Sequence, residues 1–414
     1  MLRRPLKERF DWRELAEELG FKFHTLYGEA YWDETAYYQF SLKQIEEDLE
    51  APTEEVHQLC LDAVQQVLND DELLRKFAIP EAHWDFIKKS WDNGDPSLYS
   101  RLDLCYDGTS PAKLYENNAD TPTSVYETGF WQWLWLEDRV NQRLLSYKSD
   151  QFNSLQEKLV SRFQDLAYIT PGRYLHFACC KDSEEDRGTV QYLQDCAHEA
   201  GIKTKFIYME DIGIADKAAL LNNYSSPRQN DTNSLESSFF TDLEGQEINW
   251  LFKLYPWEFI FEEEYGKFIL DKNIRFIEPP WKAILSNKAL LPLLWKLHPG
   301  HPNLLPAFFE GELQSMTSDD PAQRNGLIKK PLFSREGANI SLIQNQAEVM
   351  TTDGPYGAEG YIYQAYHPTP RFGQNHTLVG SWLVNDQAAG ISIREDSQLI
   401  TQDMSRFLPH IILD

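Results

Sequence analysis

The sequence predicts a mixed α/β fold, because its apolar pattern changes from helical to alternating along 414 residues. Apolar positions such as Ile45, Leu49 and Val56 recur at roughly helical spacing in the first part. A strand–helix–strand pattern occupies the middle, from Tyr174 to Met209. The C-terminal part is strand-rich and is punctuated by glycine and proline. No repeat or low-complexity segment interrupts this order.

The N-terminal segment, Trp12 to Trp91, reads as mainly helical. One helix is expected from Phe40-Ser41 to about Asn69, with a break near Pro52, and another from Asp71 to Phe77. A hairpin follows, with strands Leu102 to Tyr106 and Lys113 to Glu116 joined by a Gly/Ser/Pro turn.

After the hairpin, helices and strands alternate. A tryptophan-rich segment, Phe130 to Trp135, is expected to pack in the core and to lead into a helix from Leu136 to about Tyr147. The polar stretch from Asn222 to Ser237 is expected to be a surface loop. The other predicted elements are a strand at Tyr174 to Cys179, a helix at Thr189 to Ala200, strands at Lys203 to Met209 and Asn249 to Leu254, and a helix at Asn287 to Leu297.

The composition limits the partners. With 39 Lys and Arg against 65 Asp and Glu, the formal charge is −26, which argues against nucleic acid as a partner. An acidic surface favours a cationic substrate through electrostatic steering, or simply keeps the protein in solution. No apolar run is long enough to span a membrane, and the basic N-terminus lacks the apolar core of a signal peptide. The five cysteines show no metal-binding spacing and suit a reducing cytoplasm, with Cys179 and Cys180 as buried thiols.

The hairpin carries the strongest chemical signal. Because side chains alternate across a strand, Arg101 and Asp103 share one face, and so do Glu116 and Asn118. Carboxylate and amide oxygens suit Mg²⁺, and a guanidinium grips phosphoryl oxygens. The alternative is a solvated hairpin face with a surface ion pair.

The spacing R-x-D followed by E-x-N-A-D-T-P-T-S resembles the synthetase domain of the glutathionylspermidine synthase family, and further segments match in the same order from about Trp12 to the end. The resemblance implies a permuted ATP-grasp fold with a preATP-grasp-like α/β subdomain. It also suggests four parts within 1–414. They are a mainly helical part at 1–95, the metal-site hairpin and helices at 96–170, a preATP-grasp-like part at 171–280 and the nucleotide-binding part at 281–414.

The resemblance implies an ATP- and Mg²⁺-dependent ligase that joins an acid to an amine through an acylphosphate. Asp103, Glu116 and Asn118 would then hold Mg²⁺. Arg101 would stabilise the charge on the transferred phosphoryl group, and Thr121 would lie near the acid substrate.

Two lysines downstream match the family's phosphate contacts. Lys288, in Asn287 to Pro292, lies near a helix N-terminus, where anions are favoured, although a lone lysine is usually a solvated surface residue. Lys330, before Pro331, is the better match for the second lysine, with Lys329 as the alternative.

The loop after Pro331 resembles the flexible loop that folds over the triphosphate. Only Gly337 supplies free backbone conformations there, so we expect Arg335 to take part in the phosphate contact. Gln364, Ala365 and Tyr366 match the strand that lines the adenine pocket, although a plain strand with alternating aromatic residues fits the same pattern.

Further resemblances complete the expected site. Arg394 is similar to a family arginine near the transferred phosphate, although pairing with Glu395 or Asp396 is an equal alternative. Glu184 and Glu185 correspond to residues that meet the polyamine, and a solvated loop is the alternative there. Expected further nucleotide contacts are Leu399, Ile400 and Thr401.

The substrates are less defined than the reaction class. The implied partners are a small peptide-like acid, such as glutathione, and an amine, such as a polyamine. The sequence starts directly with the synthetase-like part, so we expect no amide hydrolysis of the kind performed by the bifunctional family members. The alternatives are a non-catalytic ATP- or polyamine-binding protein and a kinase-like enzyme for a small acid. The oligomeric state is not predicted.

Overall fold

A computed structural model describes most of the chain. The described residues are 1–26, 28–169, 172–216, 238–270, 274–315, 325–335, 337–400 and 405–414. The stretch predicted as a surface loop, Asn222 to Ser237, lies outside the described residues.

Helices and strands both occur throughout this part of the chain. The α-helices are α1 (Trp12–Glu18), α2 (Leu42–Ile45), α3 (Ala51–Leu68), α4 (Asp71–Lys76), α5 (Trp84–Asp92), α6 (Gln132–Asn141), α7 (Leu155–Ile169), α8 (Glu184–Glu199), α9 (Trp257–Glu262), α10 (Lys282–Leu285) and α11 (Leu290–Leu297). The strands are β1 (Leu2–Pro5), β2 (Thr25–Leu26), β3 (Glu29–Ala30), β4 (Ala36–Phe40), β5 (Tyr99–Cys105), β6 (Lys113–Asn118), β7 (Leu175–Cys179), β8 (Thr204–Tyr208), β9 (Gly213–Asp216), β10 (Ser238–Thr241), β11 (Trp250–Leu254), β12 (Arg275–Ile277), β13 (Ala307–Phe309), β14 (Leu327–Pro331), β15 (Ser341–Gln344), β16 (Ala347–Thr351), β17 (Tyr361–Ala365), β18 (Arg371–Phe372), β19 (Asn375–Val384), β20 (Gln387–Asp396), β21 (Arg406–Leu408) and β22 (His410–Ile412).

The N-terminal part is helical only in places. The helix predicted to Asn69 is present as α2 and α3, and a π-helical turn, Glu46–Glu50, joins them immediately before Pro52. The prediction of helix between Trp12 and Trp91 is wrong for β2 to β4. The strand β4 alternates buried and half-buried side chains, and it pairs with β1 on one side and with the C-terminal β22 on the other. Long-range pairing therefore overrides the local pattern.

The predicted strand–helix–strand unit is present in a parallel sheet. Its strand order is β12-β11-β7-β8, and α8 connects the neighbours β7 and β8. From β7 the chain runs through α8 to β8, which pairs with one edge of β7, whereas β11 pairs with the opposite edge of β7. Such a reversal of strand order opens a crevice at the carboxyl ends of the strands, where ligands usually bind.

Two larger antiparallel sheets are also present in the described part of the chain. One has the order β21-β20-β19-β5-β6, and the other has the order β13-β17-β14-β15-β16. Aromatic packing ties β5 to its neighbours, because the Tyr99 ring stacks on Trp382 of the adjacent strand β19 and on Phe252 of β11 in the parallel sheet. The rigid core therefore fixes the position of the hairpin strand relative to the parallel sheet.

The tryptophan-rich segment packs as expected but folds differently. Trp131 and Trp135 are fully buried, whereas Trp133 is exposed on 44% of its surface. The segment is itself helical, since a π-helical turn, Glu127–Trp131, runs directly into α6. The predicted mixed α/β fold is confirmed, and none of the described helices is long and apolar enough to cross a membrane. The division into four parts stays a prediction.

Candidate active site

The hairpin places four polar side chains on one face, as the alternation predicts. Arg101 on β5 lies opposite Asn118 on β6, and Asp103 lies opposite Glu116. Arg101 and Asp103 are almost fully buried. All four line a single cavity, so this face is not the solvated surface of an ordinary hairpin.

A glycine on the adjacent strand makes room for Arg101. Gly380 on β19 is paired with Asp103, and a Cβ built there would come within 2.8 Å of Arg101 Cδ and 2.5 Å of Ser392 Oγ. The Arg101 guanidinium lies over the Trp382 ring, 5.4 Å from its centroid. The absence of a side chain at Gly380 and the flat ring of Trp382 therefore set the path of the Arg101 side chain across the sheet.

Both carboxylates of the hairpin are paired with cations. The Arg101 guanidinium donates to Asp103 over 2.7 Å from Nε and 3.2 Å from Nη2. Lys288 Nζ lies 3.0 Å from Glu116 Oε2. Burial acts to raise the pKa of Glu116, but Lys288 and Lys330 outweigh it and lower that pKa to about 2. Glu116 is therefore ionised across the physiological pH range.

The donor set of this face fits Mg²⁺ better than a softer metal. Within the described ranges, no group of three or more His, Cys, Asp or Glu side chains is arranged to hold a metal. Asp103, Glu116 and Asn118 offer only oxygen ligands once the Asn118 amide rotates, since its Nδ2 now donates to Asp103 over 3.1 Å. Mg²⁺ needs few protein oxygens, because water and phosphate supply the others.

A second cavity begins at the same two carboxylates and runs along the sheet that contains β14 and β17. It is lined by Asp103 and Glu116, and also by seven of the described residues that were expected to contact the nucleotide. Those residues are Lys330, Gly337, Gln364, Ala365, Tyr366, Leu399 and Ile400. Thr401 lies outside the described residues.

The structure distinguishes the two candidate lysines of β14. Lys330 is buried and donates to Gln364 Oε1 over 2.8 Å and to the Tyr115 carbonyl over 2.9 Å. Lys329 points to the other face, over the Tyr361 ring and 3.7 Å from Glu348. Burial lowers the pKa of Lys330 to about 8. Only Lys330 faces the cavity, which favours it over Lys329.

Replacing Lys330 with methionine is expected to weaken ATP binding by about 10- to 10²-fold, since a charge-assisted contact is worth roughly 1.5–3 kcal/mol. Lys329→Met is the matched control and should bind ATP as the unmodified chain does. Titration with ATP in a calorimeter measures both. Equal affinities in the two variants would contradict the choice of Lys330.

The other nucleotide candidates are already engaged in hydrogen bonds. Gln364 accepts from Lys330 and donates to the Leu114 carbonyl over 3.0 Å, so its amide positions the lysine. The backbone N–H groups of Ala365 and Tyr366 donate to the carbonyls of Pro306 and Gly326. Recognition of a base by those two N–H groups would therefore require these bonds to open, and it stays a prediction. Gly337 has a φ of +72°, the conformation for which glycine was expected.

The first cavity extends from the hairpin to the carboxyl ends of β7 and β11, and we call it the substrate cavity. Three arginines line it, Arg101, Arg335 and Arg394, and so do four carboxylates, Asp103, Glu116, Glu185 and Asp186. Thr121 also lines it, as expected. The cavity therefore offers both cationic and acidic side chains to a ligand.

Arg335 adopts a bridging position. Its guanidinium donates to the Thr121 hydroxyl and to Glu258 Oε1, the latter over 2.8 Å. A phosphate bound by Arg335 would therefore replace Thr121 or Glu258 as its partner, or share the guanidinium with them. Glu258 is a partner that the sequence analysis missed, because nothing local marks a glutamate on α9 as facing the loop.

The two glutamates expected at the amine lie on different faces of α8. Glu185 lines the substrate cavity, whereas Glu184 is exposed and does not. Successive residues of a helix point about 100° apart, so Glu184 and Asp186 lie on opposite sides of Glu185, and Glu184 is the one turned away from the cavity. Asp186 lines it instead, and burial together with Glu185 raises the pKa of Asp186 to about 7.

Strand alternation also separates Arg394 from its neighbour. Arg394 lines the substrate cavity and lies over the Phe407 ring. Glu395 points to the other face of β20, where it pairs with Arg3 over 2.6 Å and with Arg406 over 3.3 Å. Glu395 thus faces away from Arg394, and the role expected of Arg394 stays a prediction.

A buried ion pair holds the segment that follows β6. Lys253 Nζ lies 2.7 Å from Asp120 Oδ1, and both side chains are completely buried. Asp120 Oδ2 accepts from the Trp257 N–H over 2.8 Å. The sequence contains a signal for this pair that the analysis did not use, namely a single lysine inside the apolar strand β11.

Comparison with known proteins agrees with this geometry. Residues 3–413 match the family described as "Glutathionylspermidine synthase preATP-grasp". The chain belongs to this family. The resemblance inferred from the hairpin is thereby confirmed, as is the class of enzyme, an acid–amine ligase of the ATP-grasp type.

Three relatives illustrate the range of the family. A Haemophilus influenzae protein named "Putative acid--amine ligase" is 37% identical over 403 residues, which are 95% of this chain and 94% of the relative. Trypanothione synthetase of Crithidia fasciculata is 28% identical over 84% of this chain and 52% of its own length. The bifunctional glutathionylspermidine synthetase/amidase of Escherichia coli is 26% identical over 98% and 64%. The chain thus spans between half and two thirds of the last two.

Among solved structures, the apo form of a glutathione synthetase-like effector from Globodera pallida aligns with a TM-score of 0.47 at 12% identity, over 86% of this chain and 87% of the other.

Proposed function

We propose that this ligase joins a peptide-like acid, such as glutathione, to a polyamine through an acylphosphate. One observation carries the proposal. The second cavity, which would hold the nucleotide, shares Asp103, Glu116 and Gly337 with the lining of the substrate cavity. The carboxylates proposed as metal ligands thus lie at the junction, where the phosphoryl group of ATP would meet an acid. A binding protein has no need of such a junction.

The residues at the junction suit phosphoryl transfer, which depends on positioning and charge neutralisation. Lys330 and Lys288 would hold the nucleotide phosphates on one side, and Arg101 and Arg394 would face the transferred group on the other. A Mg²⁺ ion held by the hairpin oxygens would neutralise charge on the phosphates. The substrate carboxylate oxygen attacks the terminal phosphorus and ADP leaves.

The presence of both arginines and carboxylates in the substrate cavity supports the two substrate classes. An anionic acid and its acylphosphate are favoured beside Arg335 and Arg394, and a cationic amine is favoured beside Glu185 and Asp186. The names of the relatives, which include a glutathionylspermidine synthetase and a trypanothione synthetase, support an acid of the glutathione kind and a polyamine.

Phosphate release from Mg-ATP, measured across a panel of acids and amines that includes glutathione with spermidine, tests this proposal. Release is expected only when both an acid and an amine are present, with the amide as product. Release with the acid alone would favour a kinase-like enzyme. Binding of ATP without release for any pair would favour a binding protein.

A further inference from the structure

A hydroxyl group connects two carboxyl groups at the substrate cavity, beside α8. Tyr31 Oη lies 2.6 Å from Glu127 Oε1 and 3.1 Å from Glu185 Oε1. Tyr31 and Glu185 line the cavity, whereas Glu127 does not and is only 1% exposed. The other oxygen of Glu127, Oε2, is buried and has no hydrogen-bond partner among the described residues. A hydroxyl donates one hydrogen at a time, so Tyr31 can pass a proton between its two neighbours.

The proposed reaction creates a need for such a group. A primary amine binds as an ammonium ion with three protons on nitrogen, and the amide product keeps one. Two protons must therefore leave the nitrogen, one before attack and one as the tetrahedral adduct collapses. One carboxylate in the cavity can hold only one of them.

We propose that Glu185, Tyr31 and Glu127 form a proton relay that takes both protons from the amine. This inference rests on the proposed ligase reaction. The ammonium group gives its first proton to Glu185. That proton moves to Tyr31 Oη while the Tyr31 hydroxyl proton moves to Glu127, which becomes a neutral acid.

Glu185 is then ionised again, and after the carbon–nitrogen bond has formed it takes the second proton as the tetrahedral adduct collapses. The carbon–oxygen bond of the acylphosphate breaks, and its electron pair leaves with phosphate. Two protons are thus held on two carboxyl groups, and both return to solvent through the cavity after product release. No oxidant or further reactant is needed.

The surroundings of Glu127 suit a proton store. Burial, with a contribution from the negative charge of Glu185, raises the pKa of Glu127 to about 8, against the opposing influence of the Tyr31 hydrogen bond and of Arg101. Arg394 and Arg101 are further charged groups that act on Tyr31. A cationic amine beside Glu185 adds positive charge, which favours ionised Glu127 before transfer. Removal of a proton from that amine then favours neutral Glu127.

Two nucleophiles of different charge test the relay. Spermidine reacts from an ammonium ion and must lose two protons, whereas hydroxylamine is neutral at neutral pH and must lose one. Tyr31→Phe and Glu127→Gln are each expected to lower kcat with glutathione, ATP and spermidine by about 10²-fold, the usual contribution of general base catalysis. Hydroxamate formation from hydroxylamine should keep its rate in both variants.

Tyr126→Phe is the matched control. Tyr126 is also buried in this aromatic cluster, but its hydroxyl donates to the Leu19 carbonyl over 3.1 Å. This variant should keep both rates. Equal loss with both nucleophiles in Tyr31→Phe and Glu127→Gln would show a structural role and overturn the relay, and so would full activity with spermidine.

A spectroscopic measurement tests the relay without substrates, and so separates its failure from failure of the proposed function. The unmodified chain should show the infrared carbonyl band of a neutral carboxylic acid that disappears as the pH rises through about 8. Glu127→Gln should lack this band. Persistence of the full band in Glu127→Gln would overturn the relay whatever the substrates are. Absence of hydroxamate and amide from the unmodified chain, with the band present, would count against the ligase reaction instead.

Discussion

Asp103→Asn is expected to lower Mg²⁺-dependent turnover by about 10²–10³-fold, the size of effect seen when one preorganised charge-stabilising group is removed from an active site. Asparagine has nearly the same shape as aspartate, so the strand β5 should keep its packing. What is lost is the negative charge that pairs with Arg101 over 2.7 Å and that would hold the metal. Turnover is measured by phosphate release over a range of Mg²⁺ concentrations.

Asp62→Asn provides the control for that experiment. Asp62 is an exposed carboxylate on α3 whose contact is a hydrogen bond from Gln58 over 3.1 Å. This variant should retain turnover and Mg²⁺ dependence. Circular dichroism and thermal unfolding should show that both variants are folded. Normal turnover of Asp103→Asn at the same Mg²⁺ concentration would contradict the assignment of Asp103 as a metal ligand.

The arrangement of the hairpin was predictable because it depends on short-range rules. Alternation along each strand places Arg101 with Asp103 and Glu116 with Asn118, and the short turn between the strands brings the two pairs together. The same rule separates Lys329 from Lys330 and Arg394 from Glu395. In these cases alternation decides which neighbouring side chains share a face, and the structure shows which face lines the cavity.

Features that depend on distant parts of the chain were not predictable in this way. The strand β4 forms because β1 and the C-terminal β22 pair with it, and the helical pattern around it gives no sign of that. Tyr31 reaches Glu127 and Glu185 across separations of 96 and 154 residues. No local pattern marks Tyr31, because a tyrosine in an aromatic segment is ordinarily a core residue.

Lys253→Met is expected to destabilise the protein by about 3–5 kcal/mol, the usual effect of removing one partner of a buried ion pair. Methionine fills a similar volume, so the loss comes from the Asp120 carboxylate, which is left in a completely buried site without its cation. Burial already acts to raise the pKa of Asp120, and Lys253 is the main influence that opposes it. Urea unfolding followed by circular dichroism measures the change in the free energy of unfolding.

The double variant Asp120→Asn with Lys253→Met separates the charge from the packing. It removes both charges, and the asparagine oxygen can still accept the Trp257 N–H, so most of the lost stability should return. Asp120→Asn alone leaves Lys253 buried without a counter-charge and should resemble Lys253→Met. If the double variant is as unstable as the single variants, the ion pair is not the cause of the loss. If the double variant is stable yet has reduced turnover, the ion pair acts by holding the segment between Asn118 and Thr121 against β11. Asn118 and Thr121, at the two ends of that segment, both line the substrate cavity.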